Sequence, residues 1–424
     1  MLRLGVERFW ERTEKIALFL FLLAIPMQLG RHFWPEWSRV AGIRVDYLSP
    51  TLYLVDIFWM IWIVSKFLIF NSKFLINFKL IKLNKFLKFE NLLFLLLIVV
   101  NVVVAENRGV AVYRWVRIIQ WLISLKILIA EKEKVKEYLK TILPIWVITE
   151  SLLGLAQILN GGSIGGIWYW IGERRFSFSS IGIAQMSLFG EGLLRAYGSF
   201  SHPNSLAGFL LIIWIYWQKN KVKNINYWIV YWMAILGILI SGSRWVWGIT
   251  FIIFNLKFLI FKNKLRVKDI LGRCLVMVGL ASVVLGMISA NYRLSDFFAG
   301  WDSDSLNKRK TLFVAGIKMV KENPLLGIGA GNFVAKLPQF QTGNSFFWLQ
   351  PVHNIFLLAW VEVGILGIMA IGYKLAKYLK YSKLIKNKKN WVILGLFILT
   401  GMVDHYWLTL PQNSWLLAVI LGII

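Results

Sequence analysis

The chain has 424 residues, of which 58% are hydrophobic and only 16% charged, and it carries a formal net charge of +27. Soluble globular domains sit near half apolar and a quarter charged, so this composition lies outside their range and makes lipid the main solvent. The 22 Trp fit the same reading, because amphipathic rings collect at the two water–hydrocarbon boundaries of a membrane protein. The basic residues lie in short loops between long apolar runs and not on one folded face, which argues against a nucleic-acid partner. A lone cysteine, Cys274, stands in an apolar run, so neither a disulfide framework nor a cysteine-based metal site is expected.

In chain order, apolar segments of about 20 residues predict about twelve spanning helices. They centre on Leu22, Trp59, Leu97, Ile119, Thr149, Leu211, Ala234, Phe251, Gly279, Glu362, Leu396 and Leu417. The flank after the first, Arg31-His32-Phe33-Trp34-Pro35, lacks a small-x-small cleavage site, so that helix is expected to stay. Alternate loops differ sharply in charge. Lys66 to Lys88 holds six lysines, Lys126 to Lys140 five, Lys219 to Lys223 three, Lys257 to Arg273 four with two arginines, and Lys374 to Lys389 seven. By the positive-inside bias these loops and both termini are cytoplasmic. The two long intervening loops, 160–203 and 291–352, are then external and form a cap carrying short amphipathic helices. The expected fold is all-α, a polytopic integral membrane protein with one membrane domain over 1–424.

Polar residues at membrane level are costly and mark candidate sites. They gather in four places, all at the predicted external face. Arg195-Ala-Tyr-Gly-Ser-Phe-Ser-His-Pro-Asn204 precedes the sixth helix, and Ser241-Gly-Ser-Arg244 forms the turn between the seventh and eighth. A third stretch runs from Arg309 through Asn323-Pro-Leu-Leu-Gly-Ile-Gly-Ala-Gly-Asn332, and the fourth is His353-Asn354 followed by Glu362 and Gly364. The glycine-rich piece does not follow a strand, so a dinucleotide or P-loop reading has no support. Asp302-Ser-Asp304 falls in an external loop, away from the nucleotide sugars such a motif serves. The four histidines are dispersed along the sequence, and no pair has metal-ligand spacing, so no metal and no cofactor are expected.

In combination and order these motifs, spanning 195–367, resemble the O-antigen ligase and polymerase superfamily. The resemblance implies a bacterial inner-membrane enzyme that moves glycan, with inversion and without a metal, from a polyprenyl (undecaprenyl) diphosphate carrier to an acceptor hydroxyl. The acceptor would be lipid A core, another glycan or a protein. A polymerase of the same superfamily is the near alternative. A lipid-linked glycan flippase is the alternative from another class, and it would be expected to show repeated halves with a midplane site.

Such chemistry needs cations on the departing diphosphate and a base within reach of the acceptor hydroxyl. His353 matches the family's His-Asn motif and is the expected base, with Asn354 beside it as a substrate contact. Arg195 and Asn204, entering a helix, and Arg309, on the apolar face of a helix with Phe313, Gly316, Ile317 and Val320, are the expected diphosphate ligands. Arg244 matches the family's Ser-Arg turn. Tyr197, His202, Arg114 and Arg117 are possible supporting residues, with interfacial anchoring as the competing reading. Glu362 lies nine residues beyond His353, roughly 13 Å along a helix, too far to orient it; a structural hydrogen bond is its expected work.

Overall fold

A computed structural model describes residues 2–74, 89–180, 182–188, 191–218, 225–260, 303–341, 348–381 and 388–424. The described residues are mostly helical, with few strands. The first half contains α1 (Leu2–Leu23), α2 (Leu54–Phe74), α3 (Phe89–Val103), α4 (Arg108–Ala130), α5 (Lys132–Asn160), the single turn α6 (Ile167–Trp170) and α7 (Pro203–Trp217). The second half contains α8 (Ile225–Ile240), α9 (Arg244–Ile260), α10 (Ser303–Glu322), the short α11 (Phe333–Lys336), α12 (Ile355–Tyr381), α13 (Lys388–Gly401), the short α14 (Tyr406–Thr409) and α15 (Pro411–Ile423). Every expected centre falls in one of these helices except Gly279, which, like Cys274 and Asp302, lies outside the described residues. α5 and α12 are long and apolar enough to cross a membrane by length and composition.

Two expectations need correction. The first apolar run is not a helix centred on Leu22: α1 stops at Leu23, and Pro26, which lacks a backbone N–H and restricts the residue before it, turns the chain away. The connecting segments are also not purely helical. After α1 the chain pairs β1 (Gly30–His32) with β4 (Thr51–Tyr53) around a smaller hairpin, β2 (Arg39–Val40) with β3 (Ile43–Arg44). Before α7, β5 (Gln185–Leu188) pairs antiparallel with β6 (Glu191–Leu194).

α7 is the axis of the core. From Pro203 to Trp217 nearly every side chain is buried, as expected of a helix that is apolar on all sides. It packs against α5, α8, α9, α13 and α15. Close approach of α5 and α8 depends on Gly237, where a Cβ would come within 2.5 Å of the Ser151 hydroxyl. That hydroxyl donates to the Met233 carbonyl at 2.8 Å, the kind of interhelical bond that contributes about 0.6 kcal/mol in lipid. α7 is fastened to α15 by Asn413, whose amide donates to the Ser205 carbonyl while its oxygen accepts from the Ser205 hydroxyl.

Lysine-rich ends of the helices meet in a separate ionic network. Glu14 of α1 accepts from Trp62 at 3.0 Å and from Lys134 at 2.5 Å, and Lys66 pairs with Glu131. The loop described next is held by Glu150 and Gln157, towards the other end of α5 from Lys134. Reporter fusions at Lys132 and Lys386 are therefore expected to score cytoplasmic, and fusions at Gly162 and Gln341 external. Cytoplasmic signal from Gly162 and Gln341 would place the site on the wrong side for a substrate displayed outside.

Candidate functional site

The hairpin β5–β6 delivers the chain to Arg195, and the loop that follows is strapped to α5 by two polar side chains. Glu150, buried within α5, accepts from the Ser199 backbone N–H and hydroxyl, both at 2.7 Å. Gln157 accepts from the backbone N–H of Tyr197 and Gly198 at 3.1 and 2.9 Å and donates to the Gly198 carbonyl. Gly198 has φ +58°, and a Cβ there would lie 2.4 Å from the Glu150 carboxylate, so only glycine fits. The strap fixes Arg195. Its Nε donates to the Ser241 carbonyl at 2.8 Å and its Nη2 to Asn204 Oδ1 at 2.5 Å, which leaves the rest of the guanidinium fork open. The Ser241–Arg244 turn thus backs Arg195, with Gly242 in the left-handed region against it.

A second scaffold holds the glycine-rich segment. α12 is broken at Gly364 (φ +66°), where a Cβ would sit 2.2 Å from the Leu325 carbonyl oxygen. The N–H groups freed by the break, those of Ile365 and Leu366, donate to the carbonyls of Pro324 and Leu325. Glu362 accepts from the backbone N–H of Gly331 and Phe333. Asn101 donates to the Leu326 and Glu362 carbonyls and accepts from Trp115 and Ala330, so all its polar capacity is used. Asn332, fully buried, binds the Asn107 backbone. The whole motif is pinned backbone, and its task is to set the entry of α12.

His353 stands at that entry. Asn354 caps α12, accepting from Phe356 and Leu357 N–H at 3.0 and 2.9 Å, and its amide reaches the Met402 carbonyl. That bond draws the turn between α13 and α14 against His353. Asp404, in that turn, lies with Oδ1 3.5 Å from His353 Nδ1, at the outer limit of a hydrogen bond. The other carboxylate oxygen accepts from Asn204 at 2.9 Å, and Oδ1 accepts from the His405 backbone. Arg195, Asn204 and Asp404 therefore form one hydrogen-bonded chain, with the His353 ring next to its end. Burial pushes the Asp404 carboxyl upward, but the adjacent His353 imidazole overcomes it and holds the group well below the usual carboxylate range. Burial brings His405 down to about 3 despite Asp404, and burial together with Arg195 does the same to His202, so both rings are neutral near pH 7.

Arg195 lies within electrostatic reach of the other two predicted arginines, Arg244 and Arg309. Burial, with Arg244 and Arg309 opposing a further positive charge, lowers Arg195 to about 10, while Tyr197 and Asp404 act the other way. Arg309 also acts on His202 and His405. It is half-buried and makes no hydrogen bond or ion pair among the described residues. Its helix differs from expectation in one respect: the buried face of α10 is Leu312, Ala315, Gly316, Met319 and Val320, while Phe313 and Ile317 are exposed. Arg195 therefore feels the Asp404 carboxylate and two further guanidinium groups.

Other candidates are placed elsewhere. Arg117 is paired with Asp56 at 2.5 Å, next to Gln120. Arg114 donates to the Leu408 carbonyl just beyond the His405 turn. The Tyr197 hydroxyl accepts from Ala184 N–H at 2.6 Å, and His202 is the N-cap of α7, accepting from Asn204 N–H at 3.2 Å. Both are framework. Asp404 and His405 were not singled out from the sequence; the available signal was a charged pair set between two apolar runs. Dispersed in sequence, His353 and His405 nevertheless meet in space. With Asp404 they place three ligating atoms within 4.8 Å of one another, a set that could hold a metal ion and that spacing along the chain does not announce.

Residues 229–372, which contain the Ser-Arg turn, Arg309, the glycine-rich segment, His353 and Glu362, match the family model Wzy_C, described as O-antigen ligase. The match bears out the resemblance to the O-antigen ligase superfamily. Arg195–Asn204 and Asp404–His405 lie on either side of it and complete the same cluster. No curated protein and no solved structure matches the chain.

Proposed function

We propose that this chain, with an O-antigen ligase match over residues 229–372, transfers glycan from a polyprenyl diphosphate carrier to an acceptor hydroxyl at the external face of a bacterial inner membrane. The observation that carries the reading is that Arg195, through Asn204, is joined to Asp404 beside His353, with Arg244 and Arg309 within electrostatic reach of Arg195. A polytopic arrangement of about twelve spans, with both termini inside, supplies the orientation.

In the reaction, His353 takes the proton from the acceptor hydroxyl as its oxygen attacks the anomeric carbon. The bond from that carbon to the diphosphate oxygen breaks, and the electron pair leaves with the carrier. A single displacement inverts the anomeric centre. Negative charge grows on the departing diphosphate, and the three guanidinium groups are already in place to meet it, without reorganisation. Asp404, fixed by Asn204 and the His405 backbone, aligns His353 and balances the imidazolium that forms; hydrogen bonds of this kind shorten when the complex assembles. Ligase and polymerase differ only in whether the acceptor is lipid A core or another carrier-linked glycan. The O-antigen ligase match favours the first.

Arginines that supply the charge stabilisation make a metal unnecessary, and both Asp404 oxygens and His405 Nδ1 already have protein partners. Purified protein given a polyprenyl-diphosphate oligosaccharide and lipid A core is expected to yield inverted product and free polyprenyl diphosphate, at a rate unchanged by EDTA. Turnover that stops with EDTA and returns with one divalent ion would instead assign His353, Asp404 and His405 as its ligands. Absence of transfer to any acceptor, with the donor bound, would overturn the reading itself.

A further inference from the structure

Distant parts of the chain meet at one hydroxyl group. Ser199, fully buried in the loop that follows Arg195, has its Oγ 2.7 Å from Glu150 Oε1 of α5 and 2.7 Å from the Pro26 carbonyl oxygen, in the turn after α1. The Ser199 N–H donates to the second carboxyl oxygen, Glu150 Oε2, also at 2.7 Å. Gln412 of α15 reaches the Pro26 and Ser199 carbonyls at 3.4 and 3.5 Å. Gly198 leaves the carboxyl no room to move, since a Cβ there would already lie 2.4 Å from Oε2.

Proton counting decides what this arrangement is. A hydroxyl carries one proton, and a carbonyl only accepts. If Glu150 is ionised, Ser199 donates either to the carboxylate or to Pro26, and the other contact is two lone-pair-bearing oxygens at 2.7 Å with no proton between them. If Glu150 is protonated on Oε1, every contact closes in one direction: Glu150 donates to Ser199 Oγ, Ser199 donates to Pro26, and Oε2 still accepts from the Ser199 N–H. Burial points the same way. Glu150 is 3% exposed and makes no ion pair among the described residues, and a buried carboxylate without a partner charge tends to the neutral form. Glu173 gives the contrast. It accepts from Gln157 and from the backbone N–H of Ile164 and Gly165 at 2.9, 2.8 and 2.7 Å, three nitrogen donors of the kind that hold a carboxylate ionised.

We propose that Glu150 works as a neutral carboxylic acid, a hydrogen-bond donor to Ser199 that positions the loop carrying Arg195. As an acid it fastens that loop to α5 and, through Ser199, to Pro26, without adding negative charge behind the arginine that meets the diphosphate. It is a positioning residue, acting on the donor only through the loop. That consequence rests on the glycan-transfer reading; the protonation of Glu150 does not.

The full chain in nanodiscs is compared with Glu150→Gln by infrared difference spectroscopy at neutral pH, which isolates the C=O stretch of a protonated carboxyl at this position from the other acids of the chain. The parent is expected to show that band and no matching pair of ionised-carboxylate bands. Glu150→Ala should weaken binding of a polyprenyl-diphosphate oligosaccharide about tenfold, the order expected when buried polar groups lose their partner, and should lower the thermal midpoint. Glu150→Gln should recover most of both losses, because its amide N–H donates to Ser199 Oγ and its oxygen accepts from the Ser199 N–H. Ser199→Ala, which removes the acceptor, should keep the acid band and move it to the higher frequency of a carboxyl that donates to nothing. Ionised-carboxylate bands in place of the acid band overturn the proposal, and so does a Glu150→Gln protein as impaired as Glu150→Ala in binding and stability. The acid band together with recovery of stability by Gln, in a protein that transfers no glycan, would sink the transfer reading and leave the neutral acid standing.

Discussion

Replacing His353 by alanine is expected to slow the chemical step by roughly 10²–10⁴, the usual contribution of a positioned general base, while donor binding stays near the parental value. The split follows from position. His353 lies at the entry of α12 and touches the arginine cluster only through Asp404 and Asn204. The helix entry does not depend on its ring, because the cap of α12 is made by Asn354 and the approach is set by the pinned glycine segment. Asp404 acts through His353, so Asp404→Asn should lower kcat without changing acceptor KM, and Asp404→Glu should restore part of it. Glu362→Gln is the control, since an amide oxygen still accepts from Gly331 and Phe333. Rapid-mixing measurements at saturating acceptor distinguish these outcomes; a His353→Ala protein that turns over at the parental rate would remove the assigned base.

Helix positions were legible in the sequence because apolar length is the one signal lipid demands, and the failure at α1 has a local cause in Pro26. Charge asymmetry between loops carries the expected orientation, which the reporter fusions test. The arginines were legible too, because a cation at membrane level is costly and stands out. What stayed hidden was the company they keep. Asp404 lies 209 residues from Arg195 in the chain (404 minus 195), and nothing in local spacing announces that Asn204 joins them. The histidines appeared dispersed for the same reason, and the Asn354–Met402 bond is one of the contacts that bring His405 to His353. Glu150 and Gln157 are the instructive omission. Both are polar residues inside a spanning helix, the signal used elsewhere, yet their partners are backbone groups of a loop, invisible until the loop is folded over them. Arg309 was found on a sound principle with an imperfect face: helical periodicity placed it beside Gly316, but Phe313 and Ile317 point outward, as they can where the surrounding solvent is itself apolar.

Arg309→Ala is expected to weaken binding of a polyprenyl-diphosphate glycan about tenfold and to lower kcat by a further 10²-fold or so, the loss seen when one preorganised donor to a developing anion is removed. Both quantities should fall because the charge it meets exists in the bound donor and grows as the glycosidic bond breaks. Arg195→Ala should cost at least as much, and for two reasons that can be separated. Its guanidinium binds the Ser241 carbonyl and Asn204, so removing it leaves both acceptors without a donor and frees the side chain that holds Asp404. Part of the loss is therefore misplacement of the base, which should appear as a lower kcat even with donor saturating. Arg309 has no such second duty. Lysine at 309 should recover binding more than rate, since a single ammonium supplies charge without the two parallel N–H groups that match a phosphate. Lysine at 195 should recover less, because it cannot donate to Ser241, Asn204 and the diphosphate together. Donor affinity by equilibrium binding and kcat by product formation, measured on the same four proteins, give the comparison. Equal losses for Arg309→Ala and Arg309→Lys in both quantities would show that charge at this position is not what the donor needs, and would take Arg309 out of the diphosphate site.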